Sequence, residues 1–515
     1  MAKVESNSHK EVKNIQIQLP YKYTDFSEFT AKVIGRAEPI DFLKRETEGL
    51  QKKKSKIEKE LNSGKLDDDK RNKLQKDLSK IEADLKRKKS ATQRAIIVII
   101  IEELKKHTSI SDTNFLCANN GKIYLYINTH WNLVDIEAFR SLLKKVAIKL
   151  GASKYMAKHF KFIDELESQF KSELSRNFQT KKSNSVLINF KNGTYDFKNN
   201  RLRPHSPDDN FTYVLDYDFN PDKKAALWQK FLDEVIPDKE KQMILAEFIA
   251  SAFVKNDVLK LEKMLILFGV GSNGKSVVFE VITELLGTEN ISNHNLEALS
   301  DKKGYSLAGI ENKLLNYSSE LSNKINADRV KQLASGEPVE ARLPYEQPFF
   351  VKNYAKFMFN TNVLPKDVEH THGFFRRFMI IHFDQIISKD KQDKELPNRI
   401  VKSELDGVFN WVLDGLNRLL KNKGFSKCES SEKLVNQYKL TSDSVGEYLN
   451  EHNAEKSIKS SVKLKFLFAE YRRYCIESGY RYVNKSNFEQ RVEHHGYSIG
   501  KVRKVKSVFI SIDYV

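Results

Sequence analysis

Eight residues near the middle of the chain have the types and the spacing of a phosphate-binding loop. Gly269, Gly274, Lys275 and Ser276 follow the order G-x-x-x-x-G-K-S. Glycines let the backbone approach a phosphate chain closely, so that main-chain N–H groups at a helix N-terminus can bind its oxygens. A lysine and a hydroxyl at the last two positions suit the β- and γ-phosphates and Mg²⁺. The motif predicts nucleotide binding and hydrolysis, and the alternative is an ordinary glycine-rich turn.

The sequence on either side supplies the elements that such a loop needs. The apolar run Met264 to Phe268 predicts a buried strand, and Val277 to Leu286 predicts an amphipathic helix. We expect Gly269, Gly271 and Gly274 to take φ values that other residues avoid. We also expect ATP and Mg²⁺ as cofactors, with Ser276 as a metal ligand. The residues expected to hold the nucleotide are Gly269, Val270, Gly271, Ser272, Asn273, Gly274, Lys275, Ser276 and Val277.

Two downstream strands are predicted to end in polar residues that could complete the site. The segment Lys313 to Ser319 predicts a strand, and Glu320 follows it at the place where a carboxylate would hold Mg²⁺ and polarise the attacking water. Another strand, Lys356 to Phe359, is followed by Asn360 and Asn362. We choose Asn362 as a neutral sensor of the γ-phosphate. A strand that ends in an acid is common, and both amides could instead only bond to the local backbone.

Two adjacent arginines precede a further predicted strand, Phe378 to Phe383. A guanidinium is always charged and can bind phosphate through two parallel hydrogen bonds. Arg376 or Arg377 could therefore enter the nucleotide site of a neighbouring subunit as an arginine finger, while the other binds a carboxylate at the interface. On this hypothesis the enzyme must be oligomeric to turn over.

The order and close spacing of these segments resemble the superfamily 3 helicases, and most closely the phage, plasmid and poxvirus-type primase-helicase family. The resemblance implies an α/β protein with an AAA+ P-loop core, a central parallel sheet, ATP bound between subunits of a hexameric ring around DNA, and a hairpin that projects into the channel. The matching segments are GVGSNGKS at 269–276, LLNYSSE at 314–320, LASGEPVEARLPYEQPFFVKNYAKFMFNTN at 333–362, and GFFRRFMIIHF at 373–383.

The implied channel hairpin would be residues 338–350, where the local sequence also predicts strand, turn and strand. Members of the family often carry a basic residue near the tip, whereas this chain has Glu346 and Gln347 there. A second, basic hairpin near the C-terminus could contact DNA or could simply be solvated. The candidate DNA contacts in the two hairpins are Arg342, Tyr345, Gln347, Lys352, Lys501, Arg503, Lys504 and Lys506.

Changes of composition along the chain, together with the resemblance to the helicase family, imply five segments. Heptad-like leucines predict a basic helical hairpin before residue 90, which could be a nucleic-acid or partner arm or only a solvated hairpin. The predicted segments are a polar N-terminal part with this hairpin (1–89), an α+β pre-helicase domain (90–235), the AAA+ core (236–385), a helical connector or lid (386–440) and a C-terminal winged helix (441–515).

The net charge limits the classes of molecule that we expect this protein to bind. The 515 residues include 87 Lys and Arg against 69 Asp and Glu, a formal net charge of +18. Such a field attracts polyanions, of which nucleic acid is the usual soluble candidate, although lysine-rich faces are often only solvated. No apolar run near the N-terminus has the length of a membrane span, and the three cysteines form no CxxC pair. We therefore expect a cytoplasmic protein, in a bacterium or a host cell, with no membrane partner.

Together these features predict an ATP-dependent replicative DNA helicase that acts as a homo-oligomer, expected to be a hexamer, on single-stranded and forked DNA of a phage or mobile element. The paired carboxylates of a primase are not found, so we expect no priming activity and consider a separate primase or initiator as a partner. The alternative is an ATP-switched DNA-binding initiator or scaffold without processive unwinding. A metabolic kinase is disfavoured by the net charge.

Overall fold

The chain forms two units. The computed structural model describes residues 25–63, 67–110, 113–178, 185–301, 303–319, 321, 326–344, 347–365, 372–480 and 482–513. The first unit takes residues 1–182 and 202–214, and the second takes residues 183–201 and 215–515. Within the described ranges no helix is both long and apolar enough to cross a membrane.

The first unit is a helical layer with a small antiparallel sheet. Its core is made largely by isoleucines and leucines of α4 together with the inner faces of α5 and α7. The strands β3, β4 and β5 pair in that order. The elements are α1 Phe26–Arg36, α2 Phe42–Asn62, α3 Asp68–Arg87, α4 Gln93–Thr108, β1 Ser109–Ile110, β2 Thr113–Asn114, β3 Leu116–Asn119, β4 Lys122–Tyr126, β5 Trp131–Leu133, α5 Ile136–Lys149, α6 Lys154–Lys158 and α7 Phe160–Glu173.

Helices α2 and α3 form the predicted helical hairpin. Asp67 caps α3, because its side chain accepts a hydrogen bond from the N–H of Lys70 at 2.7 Å. An ion pair of 2.7 Å joins Lys54 of α2 to Glu82 of α3. No residue of α3 is buried, so this hairpin presents charged surface along nearly its whole length. Gly64, in the predicted break between the helices, lies outside the described residues.

The second unit contains the P-loop and a C-terminal module. The strand β8, Arg201–Arg203, includes the point at which the chain passes to the first unit. The other elements up to residue 441 are β6 Leu187–Phe190, β7 Gly193–Asp196, α8 Ala226–Val235, α9 Lys239–Ser251, β9 Met264–Phe268, α10 Lys275–Leu286, β10 Ile291–Ser292, α11 Leu296–Ser300, α12 Tyr305–Ala308, β11 Leu315–Ser318, α13 Ala327–Ser335, β12 Val339–Ala341, β13 Phe349–Val351, β14 Lys356–Thr361, α14 His372–Phe375, β15 Phe378–His382, α15 Leu396–Asn422 and α16 Glu429–Thr441.

A five-stranded parallel sheet forms the centre of the second unit. Its strand order is β10-β11-β14-β9-β15, and every neighbouring pair is parallel. The strands are short apolar runs because helices cover both faces of a parallel sheet. Phe268, at the end of β9, pairs with Thr361 on one side and His382 on the other. The carboxyl ends of these strands therefore meet at one edge, and the predicted α/β fold with an AAA+ P-loop core is confirmed.

The last seventy residues form a small module with its own core. Tyr448, Tyr471 and Phe488 lie at its centre and are almost fully buried. The strands β17, β19 and β18 form an antiparallel sheet in that order, the arrangement that a winged helix requires. The elements are α17 Ser444–Glu451, β16 Glu455–Lys456, β17 Val462–Lys463, α18 Leu464–Glu477, α19 Lys485–His494, β18 Ile499–Val502, β19 Val505–Val508 and β20 Ile510–Ser511.

Lys356, the first residue of β14, is a partly buried cation that lowers stability at neutral pH. Its Nζ donates to Oδ1 of Asn256 at 2.9 Å, and burial lowers the pKa of Lys356 to about 8. Its unfolded pKa is near 10.5, so the unfolded chain binds more protons between pH 8 and 10.5, and stability rises with pH across that window. We expect Lys356→Met to increase the free energy of unfolding at pH 7 by about 1–3 kcal/mol.

Urea titrations of both proteins at pH 7 and near pH 10 check this prediction. The difference between them should shrink at the higher pH, because the wild-type lysine is then neutral in the folded protein. A stability difference that is equal at both pH values would contradict it.

Candidate nucleotide site and DNA contacts

The loop after β9 has two positions that only glycine can occupy. Gly269 has φ +151°, and a Cβ there would lie 2.4 Å from the carbonyl oxygen of Phe383. Gly274 has φ +87°, and its Cβ would lie 2.8 Å from Cγ1 of Val235. The expectation for Gly271 was wrong, because the other positive φ of the loop belongs to Ser272, at +60°. The chain makes this part of the turn with a serine in the left-handed conformation, which costs a residue with a Cβ about 1–2 kcal/mol.

Lys275 lies inside the loop rather than above it. Its Nζ donates to the carbonyl oxygens of Gly269 at 2.6 Å and Val270 at 3.1 Å, and to Oδ1 of Asn273 at 3.0 Å. The side chain is almost fully buried, and this desolvation lowers the pKa of Lys275. These three partners are neutral oxygens. The ammonium is therefore a positive charge that the loop holds without an anion bonded to it.

The start of α10 has further donors for an anion. Gly274 is its N-cap residue and provides no side-chain hydrogen bond to the first N–H groups. Unpaired N–H groups at a helix start carry a partial positive charge that suits a phosphate. Ser276, in the first turn, is exposed, so its hydroxyl is accessible to a metal ion. A buried ammonium, an uncapped helix start and an accessible hydroxyl together fit a phosphate chain with bound Mg²⁺.

Asn273 ties the loop to the neighbouring strand. Its Nδ2 donates to the carbonyl oxygen of Phe383 at 3.1 Å, while its Oδ1 accepts from Lys275. The N–H of Ile387 also donates to the carbonyl oxygen of Ser272 at 2.8 Å. The segment that follows β15 therefore holds the loop in position before any ligand arrives. The motif includes Asn273 as a binding residue, but this bracing role depends on a residue more than a hundred positions away.

We expect Asn273→Asp to weaken nucleotide binding by about tenfold or more. Aspartate cannot donate to Phe383, and its charge would pair with Lys275, which leaves a buried acceptor unsatisfied and attracts the ammonium away from phosphate. Binding of a fluorescent ATP analogue measures the effect. Asn273→Ala, which removes the amide without adding charge, should lose less affinity than Asn273→Asp. Equal losses in the two variants would show that the added charge has no part.

The end of β14 places Asn362 beside the loop. The N–H of Gly269 donates to the carbonyl oxygen of Thr361 at 3.2 Å, and Asn362 is the next residue and is exposed. Asn360 is buried within the strand instead, and its Oδ1 accepts from the hydroxyl of Tyr317 in β11 at 3.0 Å. Of the two amides, Asn360 links two strands and Asn362 is accessible to a ligand. Glu320, which follows β11 in the sequence, lies outside the described residues.

The two arginines lie at the opposite edge of the sheet from the loop. Phe378, just after them, pairs with Met264 at the start of β9. Because a β-strand rises by roughly 3.3 Å per residue, Phe378 lies about 13 Å along the sheet from the level of Phe268, and Arg376 is two residues farther from the phosphate loop. The sequence alone could not show that the arginines lie at this edge, because the register of β15 against β9 determines their position.

Arg376 and Arg377 have different surroundings. Arg377 is 8% exposed and donates to the carbonyl oxygens of Lys331 and Gly373 and, at 3.1 Å, to Oγ of Ser335. Arg376 is exposed, and its guanidinium lies 3.3 Å from Glu262. A surface ion pair contributes about 0–1 kcal/mol, so Arg376 can exchange its partner readily. Arg377 is therefore held inside the fold of its own chain, whereas Arg376 is accessible from solvent.

A lysine that sequence reasoning missed lies close to the loop. Lys241 of α9 is 8% exposed, and its Nζ donates to the carbonyl oxygen of His382 at 3.2 Å and contacts Asp384 at 3.3 Å. Desolvation raises the pKa of Asp384, but the hydrogen bond from Gln385 and the Lys241 ammonium outweigh it, so that the pKa of Asp384 is lowered. The pair steadies the segment that braces Asn273. The sequence offered no clear signal, because Lys241 lies in the polar first turn of α9, close to Lys239 and Glu240.

The predicted channel hairpin is present, with shorter strands than expected. Val339 pairs with Val351 and Ala341 with Phe349, antiparallel. Arg342, Gln347 and Lys352 are all exposed. Tyr345, near the tip, lies outside the described residues. Three of the four expected side chains are thus exposed to solvent, and Phe350 is also 59% exposed on an arm.

The second hairpin, β18 with β19, carries its basic residues at and around the turn. Val502 pairs with Val505, so that Arg503 and Lys504 form the two-residue turn, with φ +48° and +68°. Lys501 and Lys506 flank it; Lys506 lies 2.6 Å from Glu489, whereas Lys501 is exposed. Turns of this kind favour Asn-Gly, because residues with a Cβ are strained at positive φ. This chain keeps two long cations there.

Two protein-family models match parts of this chain. Residues 99–237 match the model described as "D5 N terminal like", and residues 267–377 match a family of unknown function, DUF5906. The second match extends from the phosphate loop to the arginine pair. Together with the order of the motifs, these matches confirm the predicted resemblance to the superfamily 3 helicases of the phage, plasmid and poxvirus type.

A curated relative and two solved structures are similar to this chain. The L207/L206 protein of Acanthamoeba polyphaga mimivirus, whose name contains the word helicase, is 25% identical over 254 residues, which are 46% of this chain and 25% of that protein. The match thus spans about a quarter of the relative's length. Two apo structures of the NrS-1 C-terminal region align with 77% of this chain and 96% of their own, at 11% and 12% identity and a TM-score of 0.43.

Proposed function

We propose that this chain is an ATP-dependent DNA helicase that works as a ring, with each nucleotide site completed by a neighbouring subunit. The observation that carries the proposal is the separation of the phosphate loop from Arg376 by the length of the sheet, together with the exposure of Arg376. Phosphoryl transfer needs positive charge on the transferred group. In this arrangement a second subunit supplies the positive charge. In a closed ring, with the hexamer as the expected size, every nucleotide site has a neighbouring subunit that provides Arg376.

Each residue at the carboxyl edge of the sheet then has a task. Lys275 and the N–H groups of the loop bind the phosphates, and Ser276 and Glu320 hold the metal ion. Glu320 also orients and polarises the attacking water, and Asn362 senses the terminal phosphate without adding negative charge. Bound Mg²⁺–ATP supplies the phosphoryl group and the metal charge that offsets it. The sheet aligns these groups because parallel strands end at one edge.

DNA is the proposed substrate of the ring. The channel hairpin, residues 338–350, offers Arg342 and Gln347 and the exposed ring of Phe350, and Lys352 lies directly after it. Lysine and arginine bind phosphates, and an aromatic ring can stack on an unpaired base. Hydrolysis at one site would shift the hairpin and pull one strand through the channel.

A strand-displacement assay on forked DNA tests the function. The helicase proposal predicts release of the displaced strand only with hydrolysable ATP and Mg²⁺. The initiator or scaffold alternative predicts DNA-stimulated assembly without strand release. Negative-stain images with an ATP analogue and the same fork report the ring directly, and a monomer in every condition would overturn the shared site.

The turn of the C-terminal hairpin gives a separate prediction about DNA affinity. We expect the double variant Arg503→Asn, Lys504→Gly to be at least as stable as wild type, because Asn-Gly suits this turn. Its DNA affinity should fall, and the slope of log affinity against log salt should decrease by about 2 if both cations bind phosphate. Lys423→Gly is the matched control, since Lys423 also has a positive φ of +52° and ends α15. An equal loss of affinity in the control would refute the contact.

A further inference from the structure

The first unit has a surface on which aromatic rings and lysines alternate without acids. It lies on α6 and the start of α7 and is called here the α6–α7 patch. Tyr155 is 89% exposed and Phe160 is 65% exposed. Single exposed rings are common on proteins, but two that are interleaved with cations are not explained by chance exposure. The members of the patch, all exposed, are Lys154, Tyr155, Lys158, His159, Phe160 and Lys161.

The sequence around the patch has a single sign of charge. Residues 144–161 contain six lysines and no aspartate or glutamate. The nearest acids of α7 are already engaged: Arg140 of α5 pairs with Asp164 and, at 2.9 Å, with Glu167. Glu165 accepts from Nε2 of Gln93 at 2.8 Å. Among the described residues, Lys154, Lys158 and Lys161 therefore have no acidic partner.

The fold holds the rings outward. Ala157 is fully buried, and Phe162 is 1% exposed. These inward residues anchor the two short helical segments on the core of the first unit, so that Tyr155 and Phe160 project from a rigid base. The rings of His159 and Phe160 lie 5.1 Å apart. Such rings lose little side-chain entropy when a flat ligand stacks on them.

We propose that the α6–α7 patch binds single-stranded DNA, with bases stacked on Tyr155 and Phe160 and phosphates bound by the lysines. Single-strand binding surfaces combine these two features: cations that follow the backbone and aromatic rings that accept any base. A membrane surface would also attract the lysines, but α6 has five residues and the patch has no continuous apolar face to insert. The identity of the ligand rests on the proposed function, whereas the binding itself requires neither ATP nor a ring.

Fluorescence anisotropy with a labelled oligodeoxythymidine of about 20 nucleotides tests the patch on the full chain without nucleotide. Tyr155→Ala with Phe160→Ala should weaken binding by about tenfold or more, since each stacked base contributes on this scale. Tyr155→Phe with Phe160→Tyr keeps both rings and should bind like wild type. Because both rings are exposed, their substitution should leave the core unchanged, and thermal melting of the variants checks this. Unchanged affinity in the alanine variant overturns the proposal.

The lysines are tested through salt dependence. The triple variant Lys154→Gln, Lys158→Gln, Lys161→Gln should lower the slope of log affinity against log salt by about 2. A charge-matched control replaces three exposed lysines of the connector helices, Lys402, Lys421 and Lys433, with glutamine and should leave the slope unchanged. Equal slopes for the two triple variants refute phosphate contact at the patch.

Two further readouts separate the possible failures. Sedimentation with phosphatidylserine vesicles that depends on the two rings, with no effect of the rings on DNA binding, would assign the patch to a membrane and overturn the proposal. ATP turnover without DNA should be the same in all patch variants. If strand release does not depend on Lys275, the proposed helicase function is wrong. The oligonucleotide-binding measurements still test the α6–α7 patch independently.

Discussion

Arg376→Ala should lower ATP turnover by about a thousandfold or more while nucleotide affinity stays within about threefold of wild type. An arginine finger acts on the charge that develops in the transition state, so its loss reduces kcat far more than binding. The side chain is exposed and has only a surface ion pair with Glu262, so the alanine variant should fold normally. Phosphate release and binding of a fluorescent ATP analogue measure the two quantities.

The neighbouring arginine is the natural control for this result. Arg377→Ala removes hydrogen bonds to Lys331, Gly373 and Ser335 inside one subunit. We expect it to lower the free energy of unfolding by about 2–4 kcal/mol, because buried acceptors lose a charged donor. Loss of turnover in Arg377→Ala without loss of stability would reverse the assignment of the two roles.

Mixing two inactive variants tests whether Arg376 acts between subunits. A ring assembled from Lys275→Ala and Arg376→Ala subunits contains some sites in which an intact loop faces an intact arginine. Turnover should therefore return when the two proteins are mixed, although each alone is inactive. If Arg376 acts only within its own chain, the mixture should stay inactive at every ratio.

Lys275→Ala should abolish ATP turnover and strand displacement together, with turnover lower by at least about a thousandfold. Lys275 is the buried cation of the loop, and its bonds to Gly269, Val270 and Asn273 hold the ammonium at the helix start. Lys275→Arg should also fail, because a planar guanidinium cannot occupy the place of a compact ammonium with a contact of 2.6 Å. Strand release that persists in Lys275→Ala would refute the motor scheme.

A partly buried lysine of the same sheet provides the control for Lys275. Lys356 lies at the other end of the sheet, at the start of β14. Lys356→Met should keep turnover near that of wild type while it changes stability. Turnover lost equally in both variants would indicate damage to the sheet, and not loss of a phosphate contact.

Local features of the chain could be predicted well because neighbours in sequence determine them. The strand Met264–Phe268 has the predicted bounds, and the helix after the loop starts two residues earlier than expected. Apolar runs, turn residues and glycine spacing act within one turn or strand, so that a motif of eight residues identifies both the loop and its flanking elements. The order of the downstream segments likewise led to the helicase family.

Roles that depend on packing could not be read in the same way. Arg376 and Arg377 are adjacent in the sequence and have the same side chain. Asn360 and Asn362 also have the same side chain and lie two positions apart. The tertiary structure distinguishes them, because Arg377 lies against α13 and Asn360 against Tyr317, whereas Arg376 and Asn362 are exposed.

By itself, the sequence determined the phosphate loop, the strands that carry the site and the helicase family, since each depends on residues close together in the chain. Only the tertiary structure decided that the loop and the arginines lie at opposite edges of one sheet, that Asn273 bonds to Phe383, and that Lys241 steadies the same segment. Strand register and burial join residues that are far apart in sequence. No local pattern specifies which side chain will be bonded inside the fold by such packing and which will stay accessible to solvent.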